Sequence, residues 1–256
     1  METYSARQYV EIFHLLFLDQ MGRKLDKKLY ALKGGCNLRF YLNSIRYSED
    51  IDIDVKIITK ETLRKNINQI LTSQPFRQIL RSHQIEILES SAPKQTETTQ
   101  RWKITLKTPS VLPLNTKIEF SRRNLEGETS FERINASLMQ TYKLMPIMAN
   151  HYSVQEAIKQ KIDALLFRTQ TQARDIFDLY HLITTTQFNR SKKHKNKHEI
   201  EQACTNALSI SFNDFKGQVV AFLPEDYQSQ YESSTGWKDM VNHVIHFLRD
   251  DSHETD

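Results

Sequence analysis

The stretch Arg46-Tyr47-Ser48-Glu49-Asp50-Ile51-Asp52-Ile53-Asp54 decides how this chain is read. Side chains alternate across a β-strand, so Asp50, Asp52 and Asp54 share one face. Ile51, Ile53 and Val55 share the other, which must be the core face. Carboxylates two residues apart on a strand lie about 7 Å from each other and repel, so they favour a cation between them. Mg²⁺ prefers oxygen ligands and typically binds through one or two carboxylates plus substrate phosphates. Taken alone, the segment is equally well an amphipathic strand with a solvated acidic face.

Its surroundings shift that balance toward metal. Lys33-Gly34-Gly35 closes a short strand predicted over Leu29–Leu32, and a helix is predicted over Asn37–Leu42. Paired glycines let backbone N–H groups approach phosphates, and a helix N-terminus adds a favourable dipole. The chain has only six glycines, so two side by side fifteen residues before an Asp-Ile-Asp are a specific combination. Glu119 lies on a strand predicted over Asn115–Ser121, where Ile118 and Phe120 take the core face. That gives a third carboxylate for a metal cradle. In a helix opened by the capping box Ser153-Val154-Gln155-Glu156 and running to about Phe167, the stripe Val154, Ile158, Lys161, Leu165 has one charged member. A lysine there costs desolvation unless an anion meets it or it snorkels to water. On the next predicted helix, Ala173–Thr184, Asp175 and Asp178 sit at i, i+3. Either they pair with Arg168, Arg174 or Lys161, or Lys161 meets triphosphate oxygens and Asp175 orients it.

A chain of 256 residues can bury one larger core or two closely packed ones. The segmentation predicts 1–140 as a sheet domain with an N-terminal helix, and 141–256 as a helical domain. Capping box Ser5-Ala6-Arg7-Gln8 starts a helix over 6–22. Helices are predicted over Lys60–Leu71, Phe76–Ser82, Lys197–Ile210 and Trp237–Arg249. Strands are predicted over Gln84–Glu89, Arg101–Lys107 and Asp50–Ile57, with Ser90–Gln100 as a polar loop. No apolar run reaches the roughly 20 residues of a membrane span, and no signal-peptide pattern opens the chain, so a cytoplasmic location is expected. Cys36 and Cys204 make no disulfide framework. His194 and His198, at i, i+4 in a lysine-rich stretch, read as a solvated face. A net charge of +4 is too mild to establish nucleic-acid binding but suits an enzyme handling polyanions. Arg122, Arg123, Lys192, Lys193, Lys195 and Lys197 are the basic residues that could hold phosphodiesters, although the 192–197 run is more often a solvated loop.

At these residues the chain resembles the AbiEii/AbiGii-type nucleotidyltransferases. These are toxins of bacterial toxin–antitoxin and abortive-infection systems that include the mycobacterial MenT-type enzymes. The likeness is carried by Lys33-Gly34-Gly35-Cys36-Asn37-Leu38-Arg39, Arg46-Tyr47-Ser48-Glu49-Asp50-Ile51-Asp52, Lys117-Ile118-Glu119, Lys161-Ile162-Asp163-Ala164-Leu165 and Arg174-Asp175-Ile176-Phe177-Asp178-Leu179-Tyr180, in family order. It implies an α+β fold of polymerase-β type: a mixed sheet flanked by helices, then a helical C-terminal domain contributing Lys161 and Asp175 to the active site. It implies nucleotidyl transfer from an NTP with Mg²⁺ or Mn²⁺ to RNA, for characterised members the tRNA 3′ end, and a cognate antitoxin. Residue by residue, Lys33, Gly34, Gly35 and Ser48 would serve the nucleotide phosphates, with Arg46 beside them. Asp50 and Asp52 would bind metal, with Glu119 the third acidic group, and Lys161 and Asp175 would complete the site. Cys36-Asn37 departs from the small Thr-Ala pair of many members, which puts base choice in question. Asp52 and Asp54 are the alternative metal pair. Two other functions compete: the same chemistry on a protein or small-molecule hydroxyl, and a catalytically silent interaction module that keeps only the fold.

Overall fold

The structure is a computed structural model that describes residues 4–188 and 195–250. Its elements in chain order begin with α1 (Ala6–Gly22), β1 (Tyr30–Lys33), α2 (Gly34–Tyr41) and β2 (Asp50–Val55). Then come α3 (Lys60–Thr72), α4 (Gln74–Ser82), β3 (Glu86–Gln95), β4 (Thr99–Lys107) and β5 (Leu114–Ser121). The sheet is finished by β6 (Thr129–Arg133), α5 (Ala136–Thr141) and β7 (Met148–Tyr152). Helices follow: α6 (Val154–Phe167), α7 (Ala173–Thr185), α8 (Lys197–Leu208), α9 (Phe212–Gln218), α10 (Glu225–Gln228) and α11 (Ser234–Asp250).

The chain divides into two compact units, one of the described residues up to Asn43 with Tyr47–Tyr152, the other of Ser44–Arg46 with the residues from Ser153 onward. The sheet unit therefore ends at 152, later than the expected boundary at 140, because Met148–Tyr152 forms a strand parallel to β1. Its seven strands run in the order β3-β4-β5-β2-β1-β7-β6, which puts the acidic strand β2 in the middle. β2 pairs antiparallel with β1 and parallel with β5.

Alternation works on β2 as its sequence predicts. Ile51, Ile53 and Val55 are buried, as are Trp102, Ile104, Leu106, Ile118 and Phe120 on the flanking strands. They join one core with Tyr9, Ile12, Phe13 and Phe17 of α1, Leu63 and Ile67 of α3, and Phe76 and Leu80 of α4. The Trp102 indole N–H is not stranded in that core, since it donates to Asn68 Oδ1 at 2.8 Å. At the N-terminus of α1, Ser5 Oγ accepts from Gln8 N while Gln8 Oε1 accepts from Ser5 N, the reciprocal cap its sequence predicts. At Ser153 the hydroxyl accepts from Glu156 N, whereas the Glu156 carboxylate turns toward Lys159.

Two local expectations change. Ser90–Gln100 is mostly strand, with only residues 96–98 between β3 and β4. β3 is an edge strand with register shifts between Ile87 and Glu89 and between Ser91 and Lys94, and it carries Pro93. An exposed edge strand needs no apolar alternation, so its Ser- and Thr-rich composition looks like a loop. The helix expected over Asn37–Leu42 starts at Gly34, so both glycines belong to its first turn.

In the helical unit, α6 packs on α7 and α8, and α11 on α7, α8 and α9. Phe215 stacks on Trp237 at 4.4 Å between ring centroids, and Met240, Val241, Val244 and Leu248 form the buried stripe of α11. Cys36 and Cys204 are both buried free thiols. No helix among the described residues is long and apolar enough to cross a membrane. Lys192, Lys193 and His194 lie outside the described residues. Lys195 Nζ, beside them, is 2.7 Å from Asp163 Oδ1.

Candidate functional site

The register of the sheet sets out the acidic face residue by residue. Asp52 lies opposite Glu119 on β5 and opposite Lys33 on β1, and Glu119 lies opposite Arg101 on β4. One row across four strands thus reads Arg101, Glu119, Asp52, Lys33. The row beside it reads Lys103, Lys117, Asp50. Residues directly opposite in a sheet project to the same side, so the three carboxylates predicted as a cradle do share one face.

The charges on that face are matched in pairs. Lys117 Nζ is 2.7 Å from Asp50 Oδ2, and Asp50 Oδ1 accepts from Lys117 N at 3.1 Å. Arg101 Nε donates to Glu119 Oε2 at 2.6 Å. Asp50, Asp52 and Glu119 are all half-buried, open enough to exchange these partners for others. Asp54 differs. It is buried at 7% exposure, accepts from Tyr152 Oη at 2.8 Å, and has Lys33 Nζ 2.6 Å from Oδ1. The Lys33 contact is one of charge rather than of hydrogen-bond geometry.

Gly34 is where α2 meets β2. Its φ of +63° lies in the left-handed region, and a Cβ added there would stand 3.0 Å from Asp52 Oδ2. Both facts require glycine: an L side chain is strained at that φ, and the space it needs holds the Asp52 carboxylate. Beside it, Ser48 Oγ donates to Asp50 O at 2.8 Å, so the hydroxyl proton fixes backbone. A cavity of about 490 Å³ opens onto Asp50 and is lined by Glu89, Lys103, Asn115 and Lys117 among others.

The donor set suits a hard cation in kind, being carboxylate oxygen throughout. Among the described residues no three His, Cys, Asp or Glu side chains are gathered into a ready-made cation site. Asp50 and Asp52 therefore fit an ion that takes one or two carboxylates and completes its shell with phosphate and water, rather than an all-protein cage.

The remaining predicted residues meet in the helical unit. Lys161 is 7% exposed, and its ammonium lies 3.1 Å from Asp175 Oδ1 and 2.7 Å from Asp178 Oδ2. Arg46 grips Asp178 with two bonds, Nε to Oδ1 at 3.0 Å and Nη2 to Oδ2 at 2.8 Å. Arg168 Nε lies 3.0 Å from Asp175 Oδ2. Both aspartates are fully buried, and three cations face two anions. Burial opposes ionisation of Asp178, but the Arg46 guanidinium and the Lys161 ammonium outweigh it and hold the carboxyl well below the usual range. The misfit lysine of the α6 stripe has thus found its anions on α7. Arg174, an alternative partner, donates instead to Gln172 Oε1 at 2.7 Å.

Lys117, Arg101 and Tyr152 contact the candidate carboxylates, and the sequence alone assigned none of them a role. Lys117 was within reach, since strand alternation puts it on the face of Glu119. The pairings of Arg101 and Tyr152 depend on strand order, which no local pattern carries.

A family profile described as the nucleotidyl transferase AbiEii toxin of type IV toxin–antitoxin systems matches residues 16–254. The chain belongs to the AbiEii family. It is accordingly a nucleotidyltransferase of a toxin–antitoxin family. Among solved structures, this AbiEii chain is similar to MenT4, a nucleotidyltransferase toxin of Mycobacterium tuberculosis. The TM-score is 0.69 and the identity 15%, covering 96% of this chain and 84% of that one. It is also similar to JHP933 of Helicobacter pylori, with a TM-score of 0.60 and 18% identity over 98% and 97% of the two chains. At these identities the likeness is one of fold, and it agrees with the α+β nucleotidyltransferase architecture expected from the motifs. No curated protein matches by sequence.

Proposed function

We propose that this AbiEii chain transfers a nucleotidyl group from an NTP to RNA, with the tRNA 3′ end as the acceptor and Mg²⁺ or Mn²⁺ bound by Asp50 and Asp52. The observation that carries this reading is the shared face of Asp50, Asp52 and Glu119, with Gly34 closing directly on the Asp52 carboxylate. Asp54 is committed to Lys33 and Tyr152, which favours Asp50 and Asp52 over the pair Asp52 and Asp54. A cation held there supplies positive charge to the oxygens of the phosphate under attack and of its leaving group.

In this reaction an acceptor hydroxyl oxygen bonds to the α-phosphorus and gives up its proton to solvent, the bond from the α-phosphorus to the α–β bridging oxygen breaks, and pyrophosphate leaves with the electron pair. Backbone N–H groups of the Gly34-Gly35 turn are assigned to the phosphates, where the start of α2 adds favourable dipole. Lys117 and Arg101, which neutralise Asp50 and Glu119, are free to turn to phosphate oxygens when those carboxylates take other partners. Ser48 is assigned to hold the Asp50 backbone, because its proton is already given to Asp50 O. Lys161, Asp175 and Arg46 stand as proposed site residues on family grounds; in the helical unit Lys161 joins α6 to Asp175 of α7, and Arg46 pairs with Asp178 of α7. We further propose a cytoplasmic location, where NTPs and RNA are found, and a separately encoded antitoxin as partner.

The test is transfer of label from each α-labelled NTP to total RNA, with wild type beside Asp52→Asn. Label on tRNA from wild type, absent from the variant, is expected. Label on a protein or metabolite with tRNA untouched would replace the acceptor. Growth inhibition that survives Asp52→Asn would point to a silent interaction module instead.

A further inference from the structure

Asp50 is the first residue of β2, so the regular hydrogen-bond ladder begins only at the residue that has to be aimed. Side chains do the aiming there. The carbonyl before it, Glu49 O, accepts from Thr116 Oγ1 at 2.7 Å. Its own carbonyl accepts from Ser48 Oγ at 2.8 Å and from Cys36 Sγ at 3.3 Å. Both peptide planes flanking Asp50 are therefore fixed by side chains.

Two of those three side chains converge on one buried residue. His14 of α1 is 1% exposed, with Nε2 2.7 Å from Thr116 Oγ1 and Nδ1 3.6 Å from Cys36 Sγ. Burial keeps its ring neutral, with the pKa pushed down to about 3. Thr116 has one hydroxyl proton and gives it to Glu49 O, so it accepts from His14 and the imidazole proton sits on Nε2. That leaves the Nδ1 lone pair 3.6 Å from Cys36 Sγ, whose single thiol proton serves either Asp50 O or Nδ1 and not both. The neutral histidine therefore holds the hydroxyl that grips the Glu49–Asp50 peptide, while Ser48 holds the far side of Asp50.

We propose that His14, acting through Thr116, is a positioning residue for the metal-binding carboxylate Asp50. The inference rests on the reading of Asp50 as a metal ligand. His14 itself touches neither metal nor nucleotide. It works as the outer support of a ligand, and loss of such a support commonly lowers metal affinity by about 10–100-fold.

The experiment measures Mn²⁺ binding to the full chain by the loss of the free-ion electron paramagnetic resonance signal. Wild type is compared with Thr116→Val, Thr116→Ser, His14→Leu and His14→Gln. Thr116→Val exchanges a hydroxyl for a methyl of the same shape, and His14→Gln keeps a donor near the Nε2 position. We expect Thr116→Val and His14→Leu to weaken Mn²⁺ by about ten-fold or more, with Thr116→Ser and His14→Gln within about three-fold of wild type. Faster amide exchange over residues 49–52 in Thr116→Val is the second readout. If His14→Leu does not fold, Thr116→Val carries the test. A folded Thr116→Val with wild-type Mn²⁺ affinity overturns the proposal, as does a Thr116→Ser that loses as much as Thr116→Val, or a wild type that binds no Mn²⁺. Nucleotidyl transfer is scored separately. Wild type that binds Mn²⁺ but transfers nothing counts against the proposed reaction alone, while transfer with Mn²⁺ affinity indifferent to Thr116 counts against His14 alone.

Discussion

Replacing Gly34 with alanine is the sharpest perturbation the site offers, because one methyl group meets two separate constraints. The first is conformational: at φ +63° an L residue costs on the order of 1–2 kcal/mol. The second is steric. The new Cβ would stand 3.0 Å from Asp52 Oδ2, where ordinary contact begins at 3.4 Å, so the carboxylate must retreat by about 0.4 Å. Catalytic groups have to be held within about 0.5 Å, and a misplacement of about 1 Å can cost on the order of 100-fold in rate. Gly34→Ala is therefore expected to lower the melting temperature by roughly 2–8 °C and to reduce nucleotidyl transfer by about ten-fold or more. The two contributions separate in a double-mutant cycle read on stability. In an Asp52→Ala background there is no carboxylate to strike, so Gly34→Ala should cost only the conformational part. Equal costs in both backgrounds would refute the contact. A Gly34→Ala protein with wild-type melting and transfer would refute the whole argument.

The other predictions concern buried charge and the choice of metal ligands. Asp178→Asn removes the carboxylate that pairs with Arg46, which is 4% exposed, and with Lys161, and should cost about 3–5 kcal/mol in chemical denaturation, typical of breaking a buried pair. Because the native pKa of Asp178 is depressed, its stabilisation is present above the unfolded value near 3.9 and is lost as pH falls through the native one. Asp178→Asn should flatten that acid limb of the stability curve, and an unchanged limb would count against the pairing. His14 makes an earlier contribution. The unfolded chain binds its proton below pH 6.5 while the native chain does not until about pH 3, so stability falls by about 1.4 kcal/mol per pH unit across that window. His14→Gln should remove this slope, as urea midpoints at several pH values would register. Asp54→Asn should lower stability by about 1–2 kcal/mol through its Lys33 and Tyr152 contacts and keep transfer, whereas Asp50→Asn should abolish it. The opposite pattern in folded proteins would make Asp52 and Asp54 the metal pair.

Much of this protein was legible in its sequence, for reasons that are local. Period-two alternation placed Ile51, Ile53 and Val55 in the core and the aspartates outside it, because the pleat allows nothing else. Capping residues located the start of α1, and the motif order between Lys33 and Tyr180 pointed to the AbiEii family, whose profile matches residues 16–254. The charged member of the α6 stripe left two readings, an anion close by or a side chain snorkelling to water, and the structure supplies the anions. What stayed hidden depends on which strand lies beside which. That Asp54 is occupied by Lys33 and Tyr152, that Arg101 faces Glu119, and that His14 stands behind Asp50 all join residues far apart in the chain. The sequence by itself determined the acidic face and the kind of chemistry it suits. Only the tertiary structure separated the three aspartates from one another, because hydrogen bonds and ion pairs across a sheet are set by register, and register is a property of the assembled strands.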